Sequence, residues 1–378
     1  MDFNTLCIHG SDKKYDVTGA VSVPIFQSAT FAHPGVGVST GFDYSRTQNP
    51  TREHLERTVA ALEKGCDAVA LATGMAAASV LMGLFSPGDH LVASDDLYGG
   101  THRLFFQLAV RYGITFTLVD TADLAAVRNA VTDHTRAIFV ETPTNPMMQV
   151  TDIAAAAALA RERGLLLAVD NTFLTPYLQS PLALGADIVL HSGTKYLGGH
   201  NDALAGFLAV KDPGLAAKLR FIANTVGAGL APFDSWLIIR GIKTLAVRMD
   251  RQQESAGKIA ARLLEYPEVT DVFYPGLPSH PGYEISKRQA RGGGAMISFN
   301  VRDAETARRL LGKVKVILYA ESLGGVESLI TYPMLQTHAD VPEAEREAKG
   351  IGARLLRLSV GLESAEDLIA DLRRALDA

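Results

Sequence analysis

Cysteine is nearly missing from this chain, with two thiols, Cys7 and Cys66, in 378 residues. Two cysteines build neither a disulfide framework nor a four-ligand zinc site, so a reducing, cytoplasmic setting is expected. A basic surplus is missing as well. The 36 Lys+Arg face 41 Asp+Glu for a net charge of -5, which argues against a dedicated nucleic-acid binder. The opening MDFNTLCIHGSDKKYD has no apolar core and no basic amphipathic pattern, so neither a signal nor a transit peptide is expected. One stretch, Ala68 to Phe85, carries no charge for 18 residues, the length of a membrane candidate. It is rich in Ala, Gly, Ser and Thr and is broken by Thr73-Gly74, so it reads as a buried strand followed by a buried helix.

Several chemistries are excluded in the same way. No GxGxxG follows a first strand, no GxxxxGK[ST] occurs, and the GIKT at Gly241 lacks the upstream glycine loop. There is no GxSxG elbow, and the ten histidines show no HExxH spacing. Internal repeats and low-complexity tracts are missing too.

What remains is ordinary globular material, 47% hydrophobic and 20% charged. At about 150 residues per domain the length suggests two domains, enough chain to bury roughly three quarters of its unfolded surface. Residues 1–50 lack periodicity and read as an arm that contacts a neighbouring subunit. From Thr51 onward short apolar strands alternate with helical stretches. The strands are Ala68–Ala72, His90–Ala93, Thr115–Val119, Arg136–Val140, Leu165–Val169, Ala186–His191 and Gly206–Val210. The helices are Thr51–Lys64, one opening near Met75, Thr101–Tyr112 and Ile153–Arg163. This alternation predicts an α/β fold with a large, mostly parallel, doubly wound sheet over residues 51–232. A single long helix, Pro232 to Leu264, reads as a spine. It opens a smaller C-terminal α+β domain over 233–378, with strands at Met296–Val301, Val316–Tyr319 and Leu355–Val360.

In an open α/β sheet the site lies beyond the carboxyl ends of the strands. The polar residues immediately following the apolar runs are Thr73-Gly74-Met75, then Glu141-Thr142-Pro143-Thr144-Asn145, then Asp170-Asn171-Thr172, then His191-Ser192-Gly193-Thr194-Lys195. Each alone has an ordinary reading: Asp170 as a cap, Lys195 as a surface lysine, Gly74 and Asn145 as turn residues. Together they match one cofactor. Pyridoxal 5′-phosphate (PLP) needs a lysine for its Schiff base, a carboxylate for its ring nitrogen, and helix-start amides with hydroxyls for its phosphate.

The motifs YSRTQNPTR, ATGMAA, DDLYGGTHRLF, VETPTNP, VDNTF, HSGTKYLGGH, AESLGGVESL and LLRLSVGLE run essentially end to end. By them the chain resembles the Cys/Met-metabolism family of PLP-dependent enzymes, with the type I aspartate aminotransferase fold. The resemblance implies that Lys195 attaches the cofactor and then acts as the mobile base, a role that needs a lowered pKa. It implies that Asp170 pairs with the ring nitrogen; an opposite charge at about 4 Å contributes on the order of 4 kcal/mol at an effective dielectric of 20. Gly74, Met75, Ser192 and Thr194 match the phosphate cradle, and Tyr44 and Arg46 match residues that reach the phosphate of a neighbouring subunit. Tyr98 matches the aromatic that stacks on the ring and handles protons at the leaving group. Arg357 matches the clamp for the substrate α-carboxylate, a task suited to a guanidinium fork. Asn145 is expected at the ring hydroxyl or the carboxylate, and Ser322 where the family positions its lysine.

Glu321 matches the place where cystathionine-handling members keep a carboxylate, methionine-cleaving relatives an apolar residue and β-lyases an aromatic. Gly100 replaces the cysteine that methionine γ-lyases commonly carry. The resemblance therefore implies γ-replacement on an O-acylhomoserine by cysteine or sulfide, in a homotetramer of two active dimers without nucleic acid or membrane. The alternative is a cystathionine γ-lyase; behind it stand methionine γ-lyase, cystathionine β-lyase and a non-catalytic PLP-binding protein. If these roles hold, Asp170→Ala damages the chemistry more than the fold: turnover is lost while the melting temperature stays near wild type, checked by a melt beside an activity assay.

Overall fold

The computed structural model describes residues 1–10 and 19–377. Its larger sheet has seven strands: β1 (Asp67–Leu71), β2 (His90–Ser94), β3 (Thr115–Val119), β4 (Thr135–Glu141), β5 (Leu166–Asp170), β6 (Ile188–Ser192) and β7 (Gly206–Val210). They lie in the order β1-β7-β6-β5-β4-β2-β3. All neighbours run parallel except at β7, which is antiparallel to both β1 and β6.

The central strands are continuous apolar runs because both of their faces are covered. Successive side chains alternate between faces. Ala137, Phe139, Ala168 and Leu190 join a core on one side, while Ile138, Val140, Leu167 and Val169 join a core on the other. Extending the alternation by one residue sends Glu141, Asp170 and Ser192 to the first side. It sends Asn171 and His191 to the second. On that second side the buried His191 Nε2 lies 2.5 Å from Glu63 Oε1, and Asn171 Nδ2 donates to the same oxygen.

The second sheet holds β8 (Val269–Phe273), β9 (Met296–Val301), β10 (Leu318–Tyr319), β11 (Leu329–Thr331) and β12 (Leu355–Ser359), in the order β10-β11-β12-β9-β8. The predicted α/β class and the mostly parallel sheet are both present. No helix among the described residues is long and apolar enough to cross a membrane. The uncharged stretch after Ala68 is indeed strand β1 followed by a helix, Gly74–Met82.

Several expectations need correction. The supposed spine is two helices, Pro232–Ile242 and Leu245–Leu263. Arg248 separates them by drawing the Gly241 carbonyl sideways onto Nη2 (2.9 Å) while Nη1 takes the Tyr196 carbonyl (2.8 Å), an arrangement that hydrophobic periodicity does not signal. Thr101–Tyr112 is helical but irregular, passing from an α-turn through a π-helical stretch at Leu104–Leu108 to a 3-10 turn at Ala109–Tyr112. The helices Leu124–Ala130 and Pro213–Val226, capped by Asp123 and Asp212, were not anticipated. Strands β8 and β11 were not anticipated either. Within residues 1–50, Phe3–His9 forms a helix that packs Cys7 into the chain's own core; burial pushes the Cys7 thiol up to about 12. Cys66, a residue type most often found buried, is exposed.

The strand anticipated at Val316–Tyr319 shortens to Leu318–Tyr319 because a side chain from the last helix takes its first amides. The Asp371 carboxylate accepts the amides of Lys315, Val316 and Ile317 at 2.9–3.0 Å and pairs with Arg374. These amides need no strand partner. Burial alone would raise the Asp371 carboxyl, but the three amides and Arg374 hold it below the usual range. Asp371→Ala strands three amides at once and is expected to cost about 2–4 kcal/mol in a denaturant melt; a loss well under 1 kcal/mol would refute that role.

Candidate active site

A cavity of about 270 Å³ opens where β1, β4, β5 and β6 end, and β12 with the loop before β11 closes its far side. Gly74, Met75, Tyr98, Asn145, Asp170, Ser192, Thr194, Lys195, Glu321, Ser322 and Arg357 all line it. Tyr44 and Arg46 do not. In the same chain Arg46 donates to Asn224 Oδ1 (3.1 Å) and lies over the Tyr44 ring, 5.4 Å from its centroid, with Tyr44 largely exposed.

One end of the cavity suits a phosphate. Thr73 caps the helix Gly74–Met82 by accepting the Ala76 amide at Oγ1 (2.9 Å), and its carbonyl takes Ala77. The Gly74 and Met75 amides precede the first intrahelical bond and stand at the cavity wall, the arrangement that binds anions. A Cβ on Gly74 would fall 2.9 Å from both Cβ and Oγ of Ser192, so only glycine brings these amides and that hydroxyl together. Thr194 Oγ1 also lines the cavity; it donates to the Ala205 carbonyl (3.3 Å) and accepts the Ala205 amide (3.1 Å).

Asp170 lines the same cavity from the end of β5. Its Oδ1 accepts from Thr172 Oγ1 (2.5 Å) and the Thr172 amide (3.0 Å), and Thr172 Oγ1 in turn accepts the Ser192 amide (2.9 Å). Burial raises this carboxyl; the Thr172 contacts and the charge of His191 act against that rise. A cationic ring nitrogen beside Asp170 would supply the missing counter-charge. The donor set, the glycine cradle and the buried carboxylate therefore fit PLP, with Lys195 within the same cavity.

Lys195 Nζ donates to Ser322 Oγ (2.9 Å). Burial and the nearby Arg357 charge push this amine down to about 8, with Glu321 opposing. An amine tuned in this way exchanges protons near neutral pH. Ser322 holds φ at 88°, a left-handed conformation rare for a residue with a side chain. It offers its hydroxyl to Lys195 and its carbonyl to Arg357 Nη2 (3.2 Å).

Arg357 is buried on β12, and its hydrogen bonds go to neutral acceptors: Asn145 Oδ1 (2.7 Å), the Ser322 carbonyl and Thr331 Oγ1 (3.3 Å). Its Nε has no partner among the described residues. Burial pushes the guanidinium down to about 10. Asn145 thus orients the arginine fork. A buried cation hydrogen-bonded only to neutral groups, with Glu141 and Glu321 near but not bonded to it, has no ion-pair partner of its own, and the cavity is where one would enter.

The sequence reading missed Thr172 and Glu141, which line the cavity, and His338, which ties the Leu97 and Asn145 carbonyls together from a distant segment. Glu141 stood in plain view at a strand end, yet PLP chemistry as read from sequence assigned it no task. His338 carried no local signal.

A family model described as Cys/Met metabolism PLP-dependent enzyme matches residues 4–377. A cystathionine gamma-synthase/O-acetylhomoserine (thiol)-lyase of Bacillus subtilis is 52% identical over 361 residues, covering 96% of this chain and 92% of the relative. A cystathionine beta-lyase of Lactococcus lactis is 48% identical over 373 residues, 99% and 98% of the two chains. The crystal structure of cystathionine gamma-lyase from Lactobacillus plantarum complexed with L-serine superposes with a TM-score of 0.97 at 47% identity, covering 100% of this chain and 99% of that one.

Gly74→Ala is expected to lower PLP affinity by about tenfold or more, because the new methyl displaces the Ser192 hydroxyl from the cradle. Fluorescence titration of cofactor into the stripped protein measures it; unchanged affinity would remove this cradle as the phosphate site.

Proposed function

The chain belongs to the Cys/Met-metabolism PLP-dependent enzyme family, and from that premise we propose that it catalyses γ-replacement on an O-acylhomoserine. Cysteine displaces the acyl group at Cγ to give cystathionine and the free carboxylate; sulfide in its place gives homocysteine. The observation that carries the amino-acid reading is Arg357, a buried guanidinium bonded only to neutral groups, which receives the substrate α-carboxylate. Room for a second amino acid supports replacement. Glu321 belongs both to the main cavity and to an adjoining hollow of about 480 Å³ that also contains Asp202, and two carboxylates suit the ammonium of an incoming cysteine. The 52% identity to the synthase relative favours the same choice.

When bound, PLP supplies an electron sink for negative charge developing at the substrate carbons. The chain's own residues do the rest. Gly74, Met75, Ser192 and Thr194 hold the phosphate, and Asp170 holds the ring nitrogen. Lys195 Nζ takes the α-proton, and Ser322 Oγ keeps that amine placed between transfers. Tyr98, held by its backbone amide on Glu141 Oε2 (3.0 Å), covers the ring and handles the proton at the leaving group. Asn145 fixes the Arg357 fork. Tyr44 and Arg46 lie outside their own cavity and serve a neighbour's phosphate, which makes a dimer the active unit; the family resemblance extends this to a homotetramer of two such dimers in the cytoplasm. The apolar side chains Val21, Val36 and Val38, exposed in the single chain, favour such a contact.

Two assays on PLP-loaded protein test the reaction. O-acetylhomoserine plus cysteine is expected to accumulate cystathionine with little 2-oxobutanoate. Rapid release of cysteine and 2-oxobutanoate from cystathionine alone would make the enzyme a γ-lyase instead. Arg357→Ala is expected to lower kcat/KM about a hundredfold, the loss typical of a buried charged contact; a loss under about threefold would move the carboxylate site elsewhere.

A further inference from the structure

The β4–β5 register places Glu141 directly opposite Asp170 in a parallel pair, and alternation turns both side chains to the cavity. Two carboxyls thus stand side by side at the cavity wall, Glu141 buried and Asp170 partly so. Both cannot carry charge at neutral pH without a cation between them. Asp170 accepts two hydrogen bonds from Thr172 and has the His191–Glu63 pair behind its strand. Glu141 has one bond, from the Tyr98 amide to Oε2 at 3.0 Å. The other charged groups facing Glu141 are divided. Asp96, with Asp95 beside it in the loop after β2, adds negative charge, whereas Arg357 on β12 adds positive charge but is bonded elsewhere. Lys349 stays at the Asp95 carbonyl.

We propose that Glu141 is a positioning residue that works as a neutral carboxylic acid, carrying the single proton that two neighbouring carboxyls must share. Burial, then the charge of Asp170, raises the Glu141 carboxyl well above its usual range, with the Tyr98 amide opposing. The pair titrates as a unit, and a ring cation beside Asp170 fixes the proton on Glu141. Two consequences follow for the site. A neutral Glu141 does not compete for Arg357, so the guanidinium keeps its charge for the incoming carboxylate. The same acid anchors the backbone of Tyr98 over the cavity without adding a second negative charge near the ring nitrogen.

The inference rests on PLP lying with its ring nitrogen at Asp170, but its test does not depend on which product the enzyme makes. Infrared difference spectra of the PLP-loaded full chain, wild type minus Glu141→Gln at neutral pH, are expected to show the C=O stretch of a protonated carboxyl, shifted in D2O. Carboxylate bands in its place would overturn the proposal. Glu141→Gln is expected to stay within about threefold of wild-type kcat/KM, since the neutral amide oxygen still accepts from Tyr98. Glu141→Ala, which strands that amide, is expected to fall by about tenfold or more, mainly in kcat. If Glu141→Gln is as damaging as Glu141→Ala, the site needs an ionised carboxylate and the proposal fails.

Discussion

The register of β4, β5 and β6 decides which side chains reach the cavity, because a slip of one residue on any of them would turn its terminal side chain to the opposite face. In the observed register Glu141, Asp170 and Ser192 share the cavity side. Asn171 and His191 turn away to meet Glu63 on the far side. Apolar cores pack on both faces in that register, one containing Phe139 and Leu190 and the other Val140 and Val169. The hydrophobic interior and the polar site are therefore set by the same alternation.

Burial then determines the chemistry of those side chains. Taking ionisable groups out of water raises carboxyls and lowers amines and guanidiniums unless a partner intervenes. The site follows this rule with little local compensation. Lys195 falls to about 8 and Arg357 to about 10, while Asp170 and Glu141 rise. A substrate that brings a carboxylate and a cofactor that brings a ring cation would each meet a group left short of its counter-charge. In physical terms the site is preorganised for both.

The second sheet supplies what the first lacks. Its strand β12 carries Arg357, and the loop before β11 carries Glu321 and Ser322. Asn145 and Ser322, from opposite sides of the cavity, both hold the Arg357 fork. His338 joins the Leu97 and Asn145 carbonyls from a third segment, so the loops bearing Tyr98 and Asn145 are fixed from outside their own sheet.

By itself the sequence determined the α/β class, every strand of the large sheet, and the polar residues at its strand ends that line the cavity. Apolar period and turn residues are local signals, and the motifs around Gly74, Asp170 and Lys195 are contiguous. It did not reveal the break at Lys243-Thr244, the shortened β10, the exposure of Cys66, or the tasks of Thr172 and His338. The break and the shortening arise when side chains far along the chain, Arg248 and Asp371, take up backbone groups. Glu141 is the clearest case. Its position at a strand end is local information, but its neighbour Asp170 and the burial around both exist only once β4 and β5 pair, and it is the pairing that creates the charge conflict.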